Sequence, residues 1–80
     1  MYITYILKSA KTGKYYYGSS IDVERRLKKH NAGKVISTRN ARPWVIHYIE
    51  EHPGKTGAIK RELFFKKRSG HKWLKEQAII

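Results

Sequence analysis

Tyr2-Ile3-Thr4-Tyr5-Ile6-Leu7, Ala10-Lys11-Thr12-Gly13-Lys14 and Tyr15-Tyr16-Tyr17-Gly18-Ser19 follow one another in an 80-residue chain, and Val23, Arg26, Leu27 and His30 come next at helical spacing. The first and third runs are rich in β-branched and aromatic residues, and the middle one supplies a glycine-containing turn, so the three together read as a β-hairpin. Side chains alternate along a strand, which puts Ile3, Tyr5 and Leu7 on one face and turns Tyr16 away from Tyr15 and Tyr17. Each buried phenol needs a hydrogen-bond partner, so three consecutive tyrosines point towards a polar site as well as a core.

Beyond the hairpin, Gly18 allows a close backbone approach or a sharp exit from the strand. Ser19, Ser20 and Asp22 are candidate helix N-caps, and Ser19 with Asp22 has capping-box spacing, with Asp in place of the usual Glu or Gln. The helix is expected to reach about Ala32, with Gly33 closing it. Val23, Arg26, Leu27 and His30 form an i, i+3, i+4, i+7 stripe, so Arg26 and His30 lie on the inward face or its edge. An arginine held there needs a carboxylate or a bound anion as acceptor. The chain has only 6 acidic residues, which makes a phosphate a good candidate. Arg25, Lys28 and Lys29 point elsewhere, to solvent or to backbone phosphates.

Further along, residues 34–42 form a basic, hydroxyl-rich loop whose Lys34, Arg39 and Arg42 suit a mobile clamp on backbone phosphates. Lys14 in the hairpin turn, with Arg25 and Lys29 on the helix, extends that nucleic-acid-binding set. Trp44 to Glu51 reads as a strand with apolar residues on both faces, hence buried, in which His47 is a satisfied structural histidine. A second helix is expected over residues 56–67, with Ala58, Ile59, Leu63 and Phe65 inward and Glu62 inside that stripe. A carboxylate in that position must be paired, protonated or metal-bound, and Lys66 one turn on is an available partner. Ser69-Gly70 is expected to break the helix before a short last one over residues 71–77, whose Trp73 and Leu74 cover the core.

Composition narrows the classes. Eighty residues suit one domain, 1–80, near the lower size for an unstapled core, since such a chain buries roughly 60% of its unfolded surface. With no cysteine there is no disulfide framework, thiolate nucleophile or cysteine zinc site. No apolar run approaches the roughly 20 residues of a membrane span, and no signal peptide is expected, so the reading is a soluble, cytoplasmic protein. Eighteen Lys and Arg give a net charge of +12, which a polyanion would neutralise. Nucleic acid is the leading partner, because the basic residues alternate with tyrosines and tryptophans instead of forming one amphipathic membrane helix. The oligomeric state stays open, a monomer included.

No serine elbow, P-loop, dinucleotide fingerprint or HExxH zinc spacing is present. What remains is Tyr5, Tyr16, Arg26, His30 and Glu62 on a very basic scaffold. Phosphodiester hydrolysis needs such parts: a base for water, a cation for the developing charge, and a carboxylate for a hard cation such as Mg²⁺ or Mn²⁺. Hard cations keep several waters, so one carboxylate suffices.

Thr4-Tyr5-Ile6 and Tyr16-Tyr17-Gly18, followed by Arg26, His30 and Glu62, resemble the GIY-YIG nuclease domain over nearly the whole chain, and its small stand-alone members in particular. Ile3-Thr4-Tyr5 stands where that family has Gly-Ile-Tyr. The resemblance implies an α/β (α+β) fold, a three-stranded antiparallel sheet flanked by about three helices, with Tyr5 and Tyr16 facing a catalytic surface. It implies a metal-dependent endonuclease acting on DNA in preference to RNA, on branched, flapped or damaged structures, with a role in DNA repair. One tyrosine would be the general base and Glu62 the metal ligand, while His30 would orient a tyrosine or act as base itself. A phenol near its ordinary pKa is a poor base, so Arg26 or the metal is expected to favour the phenolate. The competing readings are a non-catalytic nucleic-acid-binding module of the same fold, and a structural partner in a larger assembly.

Overall fold

The structure, a computed structural model, describes residues 1–80. In chain order it runs β1 (Tyr2–Ser9), β2 (Tyr15–Ser20), α1 (Val23–Asn31), a 3₁₀ turn at Arg39–Ala41, β3 (Trp44–His52), α2 (Lys55–Phe65) and α3 (Arg68–Glu76). The strands form one antiparallel sheet in the order β2-β1-β3, the mixed α/β arrangement of three strands and three helices that the sequence implies.

β1 is the central strand and is covered on both faces. Tyr5 and Leu7 pack with Val23 and Trp44 under α1, while Ile6 packs on the opposite face with Phe65 and Leu74 from α2 and α3. The hairpin register pairs Tyr5 with Gly18 and Leu7 with Tyr16, so Tyr5 and Tyr16 share the α1 face. Tyr17 faces the other way and packs on Phe65 and His71.

Four expectations are corrected. β3 is not buried: it is an edge strand, and Val45 and Ile49 are 51% and 45% exposed. A three-stranded sheet has one interior strand, and β1, which pairs with both neighbours, takes that place. In α2 the buried line is Ala58 and Phe65, whereas Ile59 and Leu63 face solvent. Two apolar ridges compete on this helix, and polar ties choose between them: Thr4 donates to the Ala58 carbonyl at 2.8 Å, and Arg61 pairs with Glu50. Ser69-Gly70 does not break a helix but lies inside the first turn of α3, because α2 already ends at Phe65. A Cβ on Gly70 would stand 1.8 Å from the Phe64 carbonyl oxygen, so this glycine is where the two helices touch. Finally, the Ser19 capping box does not form: of the three candidate caps of α1 it is Asp22 that serves, its side chain accepting from the Arg25 amide.

The 34–42 loop is held and not free. Thr38 is buried, the Trp44 indole donates to its carbonyl, and the Asn31 amide bridges to the Trp44 backbone in both directions. His47 is satisfied by the Ile79 carbonyl, as a structural histidine should be.

Candidate active site

Strand alternation and helix periodicity bring four of the five candidate residues to one place. Tyr5 projects from the central strand towards α1, and its hydroxyl lies 3.5 Å from His30 Nε2. The Tyr16 ring stands edge-on to His30, with centroids 4.8 Å apart. Arg26, one turn before His30, is half-buried, and its charge acts on both Tyr5 and His30. The guanidinium hydrogen-bonds the Tyr5 hydroxyl, no carboxylate pairs with it, and its buried Nε has no acceptor in the chain.

Gly18 makes this packing possible. A Cβ there would lie 2.4 Å from the Tyr5 hydroxyl oxygen and 2.5 Å from Cζ, so the ring rests directly on bare backbone. The next residue, Ser19, points to the opposite face and donates to Glu62 Oε1 at 2.7 Å. Adjacent residues of one edge strand thus link the tyrosine cluster under α1 to the carboxylate on α2. Glu62 Oε2 accepts from Lys66 Nζ, also at 2.7 Å, the ion pair available from the sequence.

The protonation pattern follows from burial. Tyr5 is 1% exposed, and desolvation pushes its phenol above the ordinary value. Arg26 acts against that shift without overcoming it, while Tyr16 and Glu62 add to it. Arg26 by itself therefore does not offset the burial of Tyr5. His30 is wholly buried, and desolvation, then the Arg26 charge, lowers its pKa, so the imidazole is neutral at neutral pH. The Thr38 hydroxyl lies 2.8 Å from His30 Nδ1 and donates to the Val35 carbonyl. That assigns the proton to Nδ1 and leaves the Nε2 lone pair facing the Tyr5 hydroxyl.

No cluster of three or more His, Cys, Asp or Glu forms, so a cation at this site would rest on Glu62 and water. The donor chemistry fits a hard cation, which takes few protein carboxylates and keeps its waters. The Lys66 ammonium already shows Glu62 accepting a positive charge.

The family model of the GIY-YIG catalytic domain matches residues 1–76. The chain belongs to the GIY-YIG family. It is 47% identical over 58 residues to a UPF0213 protein of Streptococcus sanguinis, a match covering 71% of this chain and 67% of that protein. It is 40% identical over 68 residues to the structure-specific endonuclease subunit slx1 of Schizosaccharomyces pombe, covering 76% of this chain but 25% of that protein. In structure it resembles a UPF0213 protein of Bacillus halodurans solved by solution NMR, with a TM-score of 0.55, 33% identity, and coverage of 96% of this chain and 85% of that one.

Within this GIY-YIG domain, Lys14, Arg25, Lys29, Lys34, Arg39 and Arg42 are exposed. Arg39 and Arg42 also brace their own loop, donating to the Gly33 and Arg39 carbonyls. Two residues escaped the sequence reading. In the sequence Ser19 is one of three candidate helix caps, and Thr38 one hydroxyl in a basic loop. Neither contact is local, and no spacing rule reports a partner 43 residues away, as Glu62 is from Ser19.

Proposed function

We propose that this chain is a metal-dependent endonuclease that hydrolyses phosphodiester bonds, in DNA in preference to RNA. The observation that carries the reading is Arg26: a half-buried guanidinium beside the Tyr5 phenol and a neutral imidazole, with a buried Nε that lacks an acceptor. A phosphate oxygen becomes that acceptor once the half-buried side chain turns its Nε outward, and the charge that grows on the phosphoryl oxygens during attack strengthens the bond. Tyr16 is the partly exposed phenol and Tyr5 the buried one, so Tyr16 meets the attacking water. Tyr5 stays protonated and donates to His30 Nε2, which fixes the ring that Tyr16 packs against. Glu62 would hold a hard divalent cation, Mg²⁺ or Mn²⁺, which when bound neutralises phosphate charge and assists the leaving oxygen. Ser19 orients that carboxylate through its 2.7 Å hydrogen bond. The net charge of +12 supports a polyanionic substrate. The name of the Schizosaccharomyces pombe relative, a structure-specific endonuclease subunit, supports trying substrates of defined structure first, and branched or flapped DNA is our choice among them.

The test is cleavage of linear, branched and flapped DNA, and of RNA, with Mg²⁺ or Mn²⁺, by the wild type and Glu62→Gln. Metal-dependent cutting that disappears in the variant supports the proposal. Equal cutting by both proteins, or none on any substrate, removes it.

A further inference from the structure

One basic concavity is lined by none of the nucleic-acid contacts read from the sequence. It is a groove of about 730 Å³ lined by Lys66, Arg68, His71, Lys72, Lys75 and Glu76, where the end of α2 meets α3. Arg68, Lys72 and Lys75 recur at i, i+4 and i+7, one face of α3, where like charges repel unless an anion lies between them. The chain's ion pairs are His52–Glu50, Arg61–Glu50 and Lys66–Glu62, so none of these three cations has an acidic partner. In the same wall, His71 Nε2 is buried without a hydrogen-bond partner.

The groove connects with the candidate active site. Lys66 belongs to both, since it lines the groove and bonds Glu62 Oε2. From there contacts run through Glu62 to Ser19, across Gly18 to Tyr5, and on to His30. Next to His30, Asn31 lines a further concavity of about 530 Å³ with Lys11, Arg39 and Arg42. The tyrosine cluster and Glu62 thus lie between two basic hollows, one reached from the α1 side of the sheet and the other from the α2–α3 side. The Cα trace spans 27 × 26 × 17 Å. Because α1 and the α2–α3 pair cover opposite faces of the sheet, the two hollows do not face one straight duplex.

We propose that the α2–α3 groove is a second backbone-phosphate subsite, holding a different arm of a DNA substrate from the one gripped by α1 and the 34–42 loop. This rests on the proposed nuclease function. A phosphate there competes for Lys66 and draws it from Glu62, so filling the groove frees the carboxylate for a cation. Substrate engagement and metal-site opening are then one event.

The test is binding of a fluorescent forked DNA and of a linear duplex of equal length, by anisotropy against salt concentration in EDTA so that cutting plays no part. The proteins are wild type, Arg68→Ala/Lys72→Ala/Lys75→Ala and Lys60→Ala, an exposed charge control on α2 outside the groove; melting temperatures confirm folding. Each lost duplex-phosphate contact lowers the slope of log K against log salt by about 0.9, so the triple variant should lose about 2 to 3 units and its preference for the fork. A slope and fork preference matching Lys60→Ala overturn the subsite, as does an absence of DNA binding by the wild type. Cleavage assays are independent: cutting with an unchanged slope removes the groove alone, whereas a changed slope without cutting removes the nuclease reading and keeps the groove.

Discussion

Gly18→Ala is the sharpest test of how the site is built. The new Cβ would sit 2.4 Å from the Tyr5 hydroxyl oxygen and 2.5 Å from Cζ. Heavy atoms in favourable contact are about 3.5 to 4.0 Å apart, so the ring must retreat by roughly 1 Å. It has little room, since Tyr5 is 1% exposed and packed against Leu7, Val23 and Trp44. Overpacking of this kind costs about 1 to 3 kcal/mol. For a domain of this size each kcal/mol lowers the melting temperature by about 4 to 8 °C. The same shift disturbs the 3.5 Å approach of the hydroxyl to His30, and misplacement by about 1 Å can cost roughly 100-fold in rate. Adding Tyr5→Phe should not rescue the variant, because Cζ remains and is almost as close as the oxygen. Thermal denaturation by circular dichroism and cleavage kinetics give the two readouts. If Gly18→Ala melts and cuts like the wild type, the ring does not rest on the strand and this account of the site is wrong.

Three further outcomes are expected. Lys66→Met removes the competitor at Glu62 Oε2, and because this lysine is 47% exposed its screened ion pair is worth at most about 1 kcal/mol. Mn²⁺ affinity, read by electron paramagnetic resonance, should therefore rise by up to about fivefold; a fall would mean that Lys66 assists the site. Burial and Arg26 lower the His30 pKa, so below the ordinary value of about 6.5 the unfolded chain binds more protons than the folded one. The His30 contribution to stability is thus present above that pH and is lost as pH falls through the folded pKa; the melting temperature of His30→Gln should depend less on pH between about 5 and 7 than that of the wild type. Gly70→Ala should be more damaging than Gly18→Ala, with a melting-temperature loss at or beyond the upper end of the overpacking range, because its Cβ meets the backbone of Phe64 and no side chain can turn aside.

The hairpin, α1 and the face shared by Tyr5 and Tyr16 were legible in the sequence because each rests on a local period: two along a strand, 3.6 along a helix. The same rule marked Arg26 and His30 as inward residues, and composition supplied the polyanion. Periodicity failed where two solutions were locally equal. α2 carries two apolar ridges, and only Thr4, Glu50 and Ser19, presented by the sheet, select the one that turns Glu62 towards the site. Trp44 to Glu51 has the composition of an interior strand, yet its exposure depends on strand order, a property of the whole sheet. Gly70 looks like a helix breaker in one dimension and is a helix contact in three. The sequence alone therefore determined which residues could form the site, since local spacing decides which side chains share a face. Tertiary structure decided what each one meets: Ser19 on Glu62, Thr38 on His30, and Arg26 with a nitrogen left for an anion, because those partners come from elements that only packing brings together.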